Sequence, residues 1–143
     1  MRIKNNSRAA WVLITKQLQL HKIYMIATTT LLLLINAVRP PQFPLTINYE
    51  LQQLAEKRCL NANSFSHEGF WNTYAKLGNQ LGFAYVGENL SFKFTDAESA
   101  FKALENSSYH KKNNHSLNYQ KVGISVCQKS FGNNFTVILF AGH

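Results

Sequence analysis

The sequence predicts an α+β fold, a three-layer α-β-α sandwich, preceded by an N-terminal signal peptide or membrane anchor. The start of the chain is basic and then apolar, which is typical of an export signal. Residues 48–104 carry apolar side chains at helical spacing, whereas residues 122–140 have the alternating and continuous apolar patterns of β-strands. Because the last strand is apolar on both faces, we expect helices on both sides of the sheet.

Residues 1–38 have the composition of a signal peptide or an anchor. The first 22 residues are basic and contain no acid, and residues 23–35 are apolar. This apolar length fits the roughly 7–15 residues of a signal peptide better than the about 20 of a membrane span. The tripeptide ending at Ala37 suits cleavage after that residue, while an uncleaved anchor and a buried helix remain alternatives. The basic leader predicts an exported domain, either secreted or anchored with the domain outside.

The charge distribution argues against nucleic acid as a partner. Six of the fifteen Lys and Arg residues precede the first acid, Glu50, so most of the +8 net charge belongs to the leader. A nucleic-acid-binding domain needs basic residues clustered on its folded surface. The pair Lys111-Lys112 is the one such cluster after the leader, and an exposed segment explains it more simply.

Residues 39–45 contain all three prolines of the chain and predict a stiff, extended linker. The folded domain is then expected at residues 46–143, where about 100 residues support a modest core. This part of the sequence contains no internal repeat and no low-complexity segment.

Three helices are predicted in the first part of the domain. Asn48 caps the first, which reaches about Asn61. Its apolar face is formed by Leu51, Leu54, Ala55 and Cys59. A second, short helix ends at Gly78. Its apolar residues are Phe70, Trp71, Tyr74 and Leu77. Thr95 and Glu98 form a capping box for the third helix. The apolar face of the third helix consists of Ala97, Ala100, Phe101 and Leu104.

Two strands follow these helices. Val122, Ile124 and Val126 alternate with small or polar residues, which predicts a half-buried strand. Turn residues at 131–134 then precede a strand at 135–140 that is apolar at nearly every position.

Cys59 and Cys127 are the two cysteines of the chain. In an exported domain such a pair is a candidate disulfide, and two separately buried thiols are the alternative. Metal ligation by two lone cysteines is not expected.

Three motifs occur in order within the domain. They are Phe65–Phe70, Gly87–Leu90 and Ser107–Asn113, and Tyr119–Ile124 follows the third at a typical spacing. Together they resemble the bacterial branch of the CAP superfamily, which includes cysteine-rich secretory proteins, antigen 5 and plant pathogenesis-related class 1 proteins. The resemblance covers about residues 48–140 and implies a three-layer α-β-α fold, the SCP domain.

The resemblance also implies a central cleft with two histidines and one or two glutamates. On this sequence these residues are His67, Glu88 and His110, as metal ligands or as catalytic residues. Asn89 is expected to support the site by fixing the loop around Glu88 through its side-chain amide. Glu105 is the nearest counterpart of a second glutamate.

Two imidazoles and a carboxylate can bind a divalent metal, Zn²⁺ or Mg²⁺, with water completing the coordination shell. Without a metal, Glu88 would hydrogen-bond an imidazole, and the same residues would form a structural polar network. Helix termination explains Ser107 and Ser108 better than a nucleophile does. A loop position explains His115, with the rim of the cleft as the alternative, and an exposed position explains His143.

Three functions are consistent with this site. The first is a non-enzymatic binding module for a lipid, an envelope component or a protein, acting outside the cell or at its envelope. The second is a metal-dependent hydrolase that uses His67, Glu88 and His110. The third is recognition of another protein through residues 106–118, which we expect to form a polar, mobile loop.

Overall fold

The structure is a computed structural model that describes residues 4–63, 65–71, 76–129 and 134–143. Its elements, in chain order, are α1 (Lys4–Ala37), β1 (Thr46–Ile47), α2 (Tyr49–Asn61), α3 (Lys76–Gln80), β2 (Tyr85–Phe92), α4 (Ala97–Asn106), α5 (Ser108–His115), β3 (Lys121–Gln128) and β4 (Asn134–Gly142). The predicted first and third helices correspond to α2 and α4, and the two predicted strands correspond to β3 and β4.

In the described part of the chain, the strands form a four-stranded sheet in the order β1-β3-β4-β2. β1 pairs with β3 in parallel, and β4 pairs antiparallel with both β3 and β2. β4 is therefore an inner strand, and all its residues after Asn134 are buried. This confirms the prediction that both faces of the last strand are covered.

Two apolar clusters lie on the two faces of the sheet. On one face, Leu51 and Ala55 of α2 pack near Val137 and Leu139 of β4. On the other face, α1 and α4 cover β3 and β4. The residues of this second cluster include Leu31, Ile35, Ala100, Leu104, Ile124, Ile138 and Phe140. Helices thus lie on both sides of the sheet, as the three-layer α-β-α prediction requires.

β3 is covered on both faces, although its alternating pattern predicted a half-buried strand. Gly123 lies so close to α2 that a Cβ atom there would collide with the carbonyl oxygen of Leu51. The side-chain amide of Gln52 donates to the Ile124 carbonyl oxygen at 2.8 Å and accepts from the Ile124 N–H at 3.0 Å. The small residues on this face therefore permit contact with the helix backbone and do not mark a solvent-facing side.

The substitution Gly123→Ala is expected to lower the free energy of unfolding by about 1–3 kcal/mol, the usual cost of overpacking. The added methyl group meets backbone, so α2 must move away from β3. Urea unfolding of the full chain in mild detergent, followed by circular dichroism, measures the change. Ser125→Ala lies two residues along the same strand face and adds no atom. Equal effects of the two variants would contradict close contact at Gly123.

Cys59 and Cys127 form a disulfide that connects α2 to the end of β3. Both residues are buried, at 0% and 9% exposure. The bond therefore fastens one helical layer to the sheet, and the alternative of two separate thiols is wrong.

The N-terminus of α4 begins one residue later than the capping-box pattern predicted. Asp96 is the N-cap, because its carboxylate accepts a hydrogen bond from the Ser99 N–H at 2.7 Å. The hydroxyl of Thr95 instead donates to the Asp96 carboxylate. A negative charge at this position also interacts favourably with the helix dipole. Glu98 is exposed in the first turn of α4.

Gly78 lies inside α3, which continues to Gln80, so the predicted stop at Gly78 is wrong. A Cβ atom at this glycine would lie 2.8 Å from the Val86 side chain. The absence of a side chain at Gly78 therefore permits close packing against β2. The left-handed backbone conformation lies instead at Gly82, where φ is 77°. Residues 72–75 of the predicted second helix lie outside the described residues, as do residues 131–133 of the predicted turn.

The predicted linker, residues 39–45, belongs to the packed domain. Arg39 and Leu45 are 5% and 2% exposed. The Asn36 side chain of α1 donates to the Leu45 carbonyl oxygen at 3.0 Å and accepts from the Leu45 N–H at 2.8 Å. The chain turns here, with the Phe43 N–H bonded to the Pro40 carbonyl oxygen. The folded unit therefore extends upstream of residue 46, because the prolines shape a turn and not a spacer.

Candidate functional site

The candidate cleft lies at β2, an edge strand of the sheet. Residues 87–90 were predicted as a loop, but they are the middle of β2 and pair with residues 137–140 of β4. Glu88 and Asn89 are neighbours on this strand, so their side chains leave opposite faces of the sheet. His110 comes from α5, and His67 lies in the irregular segment after α2. A strand, a helix and a loop thus supply the three predicted residues.

Glu88 is the centre of a buried ion-pair network. Its side chain is 1% exposed, and its Oε2 accepts a hydrogen bond from Arg58 Nε at 3.0 Å. Its Oε1 lies 2.8 Å from His67 Nδ1 and 3.4 Å from Arg58 Nη2. The same Nη2 donates to the Ser66 carbonyl oxygen at 2.6 Å. Both carboxylate oxygens of Glu88 are therefore occupied by protein donors.

Arg58 is a site residue that the sequence reasoning missed. It lies in the last turn of α2, and its side chain is 12% exposed. In a sequence, a single arginine next to a cysteine in a helix usually predicts a solvent-exposed helix face. The position of Arg58 next to Cys59, on the helix that precedes His67, was the available signal.

His67 and His110 lie near each other, with ring centroids 6.4 Å apart and ring planes at 48°. The His67 side chain is 54% exposed, whereas His110 is half-buried. Burial, followed by the charge of His67, lowers the pKa of His110 below its usual value. The lowered pKa favours the neutral imidazole of His110, which is the form that binds metal ions.

Asn89 fixes α5 against the sheet. It is fully buried and donates to the His110 carbonyl oxygen at 2.9 Å and to Asn114 Oδ1 at 3.0 Å. Its own Oδ1 accepts from Asn113 Nδ2 at 2.8 Å. Three residues of α5 are thus held by one amide. Asn89 was expected to fix a loop around Glu88, and the segment that it holds is the helix carrying His110.

Glu105 bonds to residues of α5. Its Oε1 accepts from Asn114 Nδ2 at 2.8 Å, and its Oε2 lies 2.7 Å from His115 Nε2. His115 was predicted to lie in a loop, but it is the last residue of α5. The structure thus places Glu105 in the contact between α4 and α5, beside Asn114 and His115, where it helps to orient the helix that carries His110.

Residues 106–118, predicted as a polar and mobile loop, mostly form α5. Asn114 is fully buried, because its side chain bridges Asn89 and Glu105. Ser107 separates α4 from α5, in agreement with helix termination as the reason for the Ser-Ser pair. His143 is exposed as predicted, and its Nδ1 lies 2.9 Å from the Gly82 carbonyl oxygen.

The cleft offers few protein side chains as ligands for a metal ion. Among the residues that the structure describes, no group of three or more His, Cys, Asp and Glu side chains is arranged to hold a metal ion. Glu88 accepts a hydrogen bond on each oxygen, so the imidazoles of His67 and His110 are the groups less committed to protein partners. Two imidazoles fit Zn²⁺ with water in the other positions, whereas Mg²⁺ requires oxygen ligands.

The sequence matches no protein-family model and no curated protein. Solved structures, however, share its fold. A cysteine-rich secretory protein of Staphylococcus aureus matches with a TM-score of 0.71 and 19% identity, over 84% of this chain and 40% of that one. An outer surface protein of Borrelia burgdorferi matches with a TM-score of 0.67 and 18% identity, over 83% of this chain and 91% of that one.

An extracellular protein of Bacillus anthracis that contains an SCP domain matches with a TM-score of 0.66 and 23% identity. The alignment covers 85% of this chain and 42% of the Bacillus protein. This chain therefore spans less than half the length of the Staphylococcus and Bacillus proteins. The fold expected from the three motifs is confirmed, and the chain carries a domain with the fold of the bacterial CAP superfamily.

Proposed function

We propose that this chain is a binding module that acts outside the cell or at the cell envelope, and that His67 and His110 bind one Zn²⁺ ion in its cleft. The main support for this proposal is the proximity of the two imidazoles, whose ring centroids are 6.4 Å apart. Glu88 Oε1 lies 2.8 Å from His67 Nδ1 and orients that ring. A metal-binding histidine commonly donates its second ring N–H to a carboxylate, which fixes the tautomer and raises the basicity of the ligating nitrogen. Glu88 is placed to do this for His67.

The electrostatics of the cleft favour a modest site over a strong one. Arg58 neutralises Glu88, so the carboxylate adds little net negative charge for an incoming cation. His110 offers a neutral imidazole because its pKa is lowered. A bound Zn²⁺ would act as a Lewis acid towards a ligand in its open positions. The residues of this chain would hold and orient such a ligand at the edge of β2.

The geometry supports binding more than hydrolysis. A general base must present an oxygen or nitrogen within hydrogen-bond reach of the proton that it removes. Glu88 is 1% exposed and both its oxygens are engaged by Arg58 and His67. A hydrolase that used Glu88 as general base would first have to free one of these oxygens from its protein partner.

The exposed side of α5 is the surface that we propose for a partner. Tyr109 is 85% exposed and directly precedes His110. Lys111 and Lys112 follow it and are also exposed. An aromatic ring beside two positive charges suits an anionic envelope component or an acidic protein surface. The three structural relatives are described as secretory, outer surface and extracellular proteins, which agrees with such a location.

Calorimetry tests the metal site. The full chain in mild detergent is expected to bind one Zn²⁺ ion and not Mg²⁺. His67→Ala combined with His110→Ala should weaken Zn²⁺ binding at least tenfold, about 1.4 kcal/mol. His115→Ala is the matched control, because this histidine bonds Glu105 and should leave binding unchanged. Unaltered Zn²⁺ affinity in a folded double variant would contradict the proposed site.

A further inference from the structure

We propose that α1 is retained and not cleaved after Ala37, and that it serves as a domain helix and a membrane anchor at once. Its part from Leu31 onwards belongs to the core, and its part upstream of Leu31 attaches the domain to a lipid bilayer. This inference concerns how the domain is attached, and it is independent of any ligand in the cleft.

The end of α1 is built into the apolar core. Leu31 and Ile35 are 1% and 0% exposed, and they belong to the cluster that contains Leu104 and Ile124. Leu33, which lies between them on the helix, is 64% exposed. One face of the helix thus packs on α4 and the sheet. Cleavage after Ala37 would remove this face and uncover the apolar surface beneath it.

Hydrogen bonds fasten the same helix end to the cleft helix. Arg39, just beyond α1, donates from Nη1 to the carbonyl oxygens of Asn114 and Ser116 at 2.8 and 2.9 Å. Its Nη2 donates to the Tyr119 carbonyl oxygen at 2.8 Å. The carbonyl groups at the end of α5 carry partial negative charge, so a buried guanidinium is favourable there. Removal of α1 would release the segment that holds Arg39 in this position.

The upstream part of α1 exposes a large amount of apolar surface. More than half of the side-chain surface is exposed in most of these residues, which are Trp11, Val12, Leu13, Ile14, Leu18, Leu20, Ile23 and Met25. Soluble proteins rarely display so many large apolar side chains along one helix. By length and composition, α1 is apolar enough to cross a membrane when Arg8–Ala37 is taken as a whole, a range that includes the core residues Leu31 and Ile35.

Charge and length identify the partner as a bilayer. The exposed basic residues are Arg8, Lys16 and Lys22, and the chain has no acidic residue before Glu50. Such a helix is attracted to anionic lipid headgroups, and long basic side chains can extend towards them. The part of α1 upstream of Leu31 is about 40 Å long at about 1.5 Å per residue. Because Lys16 and Lys22 lie within it, we expect its apolar side chains to enter the bilayer while its basic side chains stay at the headgroups.

Expression of the full chain in a bacterial host that exports it tests whether α1 is retained. We expect intact-mass analysis to find the complete N-terminus, and we expect the protein in the membrane fraction, released by detergent. A chain shortened by cleavage, whether it begins at Val38 or at any other internal residue, would overturn the proposal. So would a full-length chain in the soluble fraction, including one that covers its apolar helix by self-association.

Two matched variants separate the core role from the membrane role. Leu31→Asp and Leu33→Asp place the same charge two residues apart in α1, but Leu31 alone of the two is buried. In the purified full chain, Leu31→Asp should lower the melting temperature by more than about 5 °C and Leu33→Asp by less than about 2 °C. Equal melting temperatures for the two variants would overturn the assignment of Leu31 to the core.

Discussion

Replacing Arg58 by alanine is expected to destabilise the domain by about 3–5 kcal/mol, the usual cost of removing one partner of a buried ion pair. Glu88 would remain 1% exposed with its strongest donor lost. The Ser66 carbonyl oxygen would also lose the Arg58 donor. Urea unfolding of the full chain in mild detergent measures the total change in the free energy of unfolding, which includes the effect of loosening the His67 segment.

The double variant Arg58→Ala/Glu88→Gln is the informative companion. It removes both charges and should recover at least 1 kcal/mol relative to Arg58→Ala, because no buried charge is left unpaired. Lys57→Ala is the matched control, since it removes the same charge from an exposed position of α2. If Arg58→Ala and Lys57→Ala have equal stabilities, the network at Glu88 does not contribute as we infer.

Removing the disulfide is expected to cost about 4 kcal/mol by the chain-entropy model. The bond closes a loop with a sequence separation of 68 residues between Cys59 and Cys127. Without it, the unfolded chain gains freedom, and α2 is no longer tied to β3. The variant Cys59→Ala/Cys127→Ala should therefore unfold at a clearly lower urea concentration than the parent chain.

Reduction of the parent chain provides the control for the disulfide variant. Dithiothreitol should shift the unfolding midpoint of the parent chain to that of the double variant and leave the variant unchanged. Identical midpoints for the oxidised parent and the variant would show that the bond does not stabilise the domain. A variant with one cysteine replaced would be less informative, because its free thiol can form bonds between chains.

The fold, and the proximity of His67, Glu88 and His110, were predictable because they depend on short patterns. Helical spacing from Leu51 to Cys59 and continuous apolarity in β4 each identify an element without reference to the rest of the chain. The order and spacing of the motifs around His67, Glu88 and His110 then identified the fold. The proximity of the two imidazoles, and the contact of Glu88 with His67, agree with a shared cleft.

The partners of these residues were not predictable in the same way. The sequence predicts a solvent-exposed Arg58, and only the folded chain brings this side chain to Glu88 of β2. The sequence predicts that Asn114 lies in a loop, whereas the structure buries it between Asn89 and Glu105, which both hydrogen-bond its side chain. In each case a polar side chain is buried because residues far along the chain satisfy its hydrogen bonds.

The N-terminal segment shows most clearly what each level of description contributes. The sequence by itself determined that residues 23–35 are apolar and follow a basic, acid-free leader. That composition is shared by signal peptides, anchors and core helices, because all three remove apolar side chains from water. Only the tertiary structure decided that Leu31 and Ile35 face α4 and the sheet while Leu33 does not. The physical reason is that hydrophobicity is a property of the residue, whereas burial depends on which surfaces the fold brings to it.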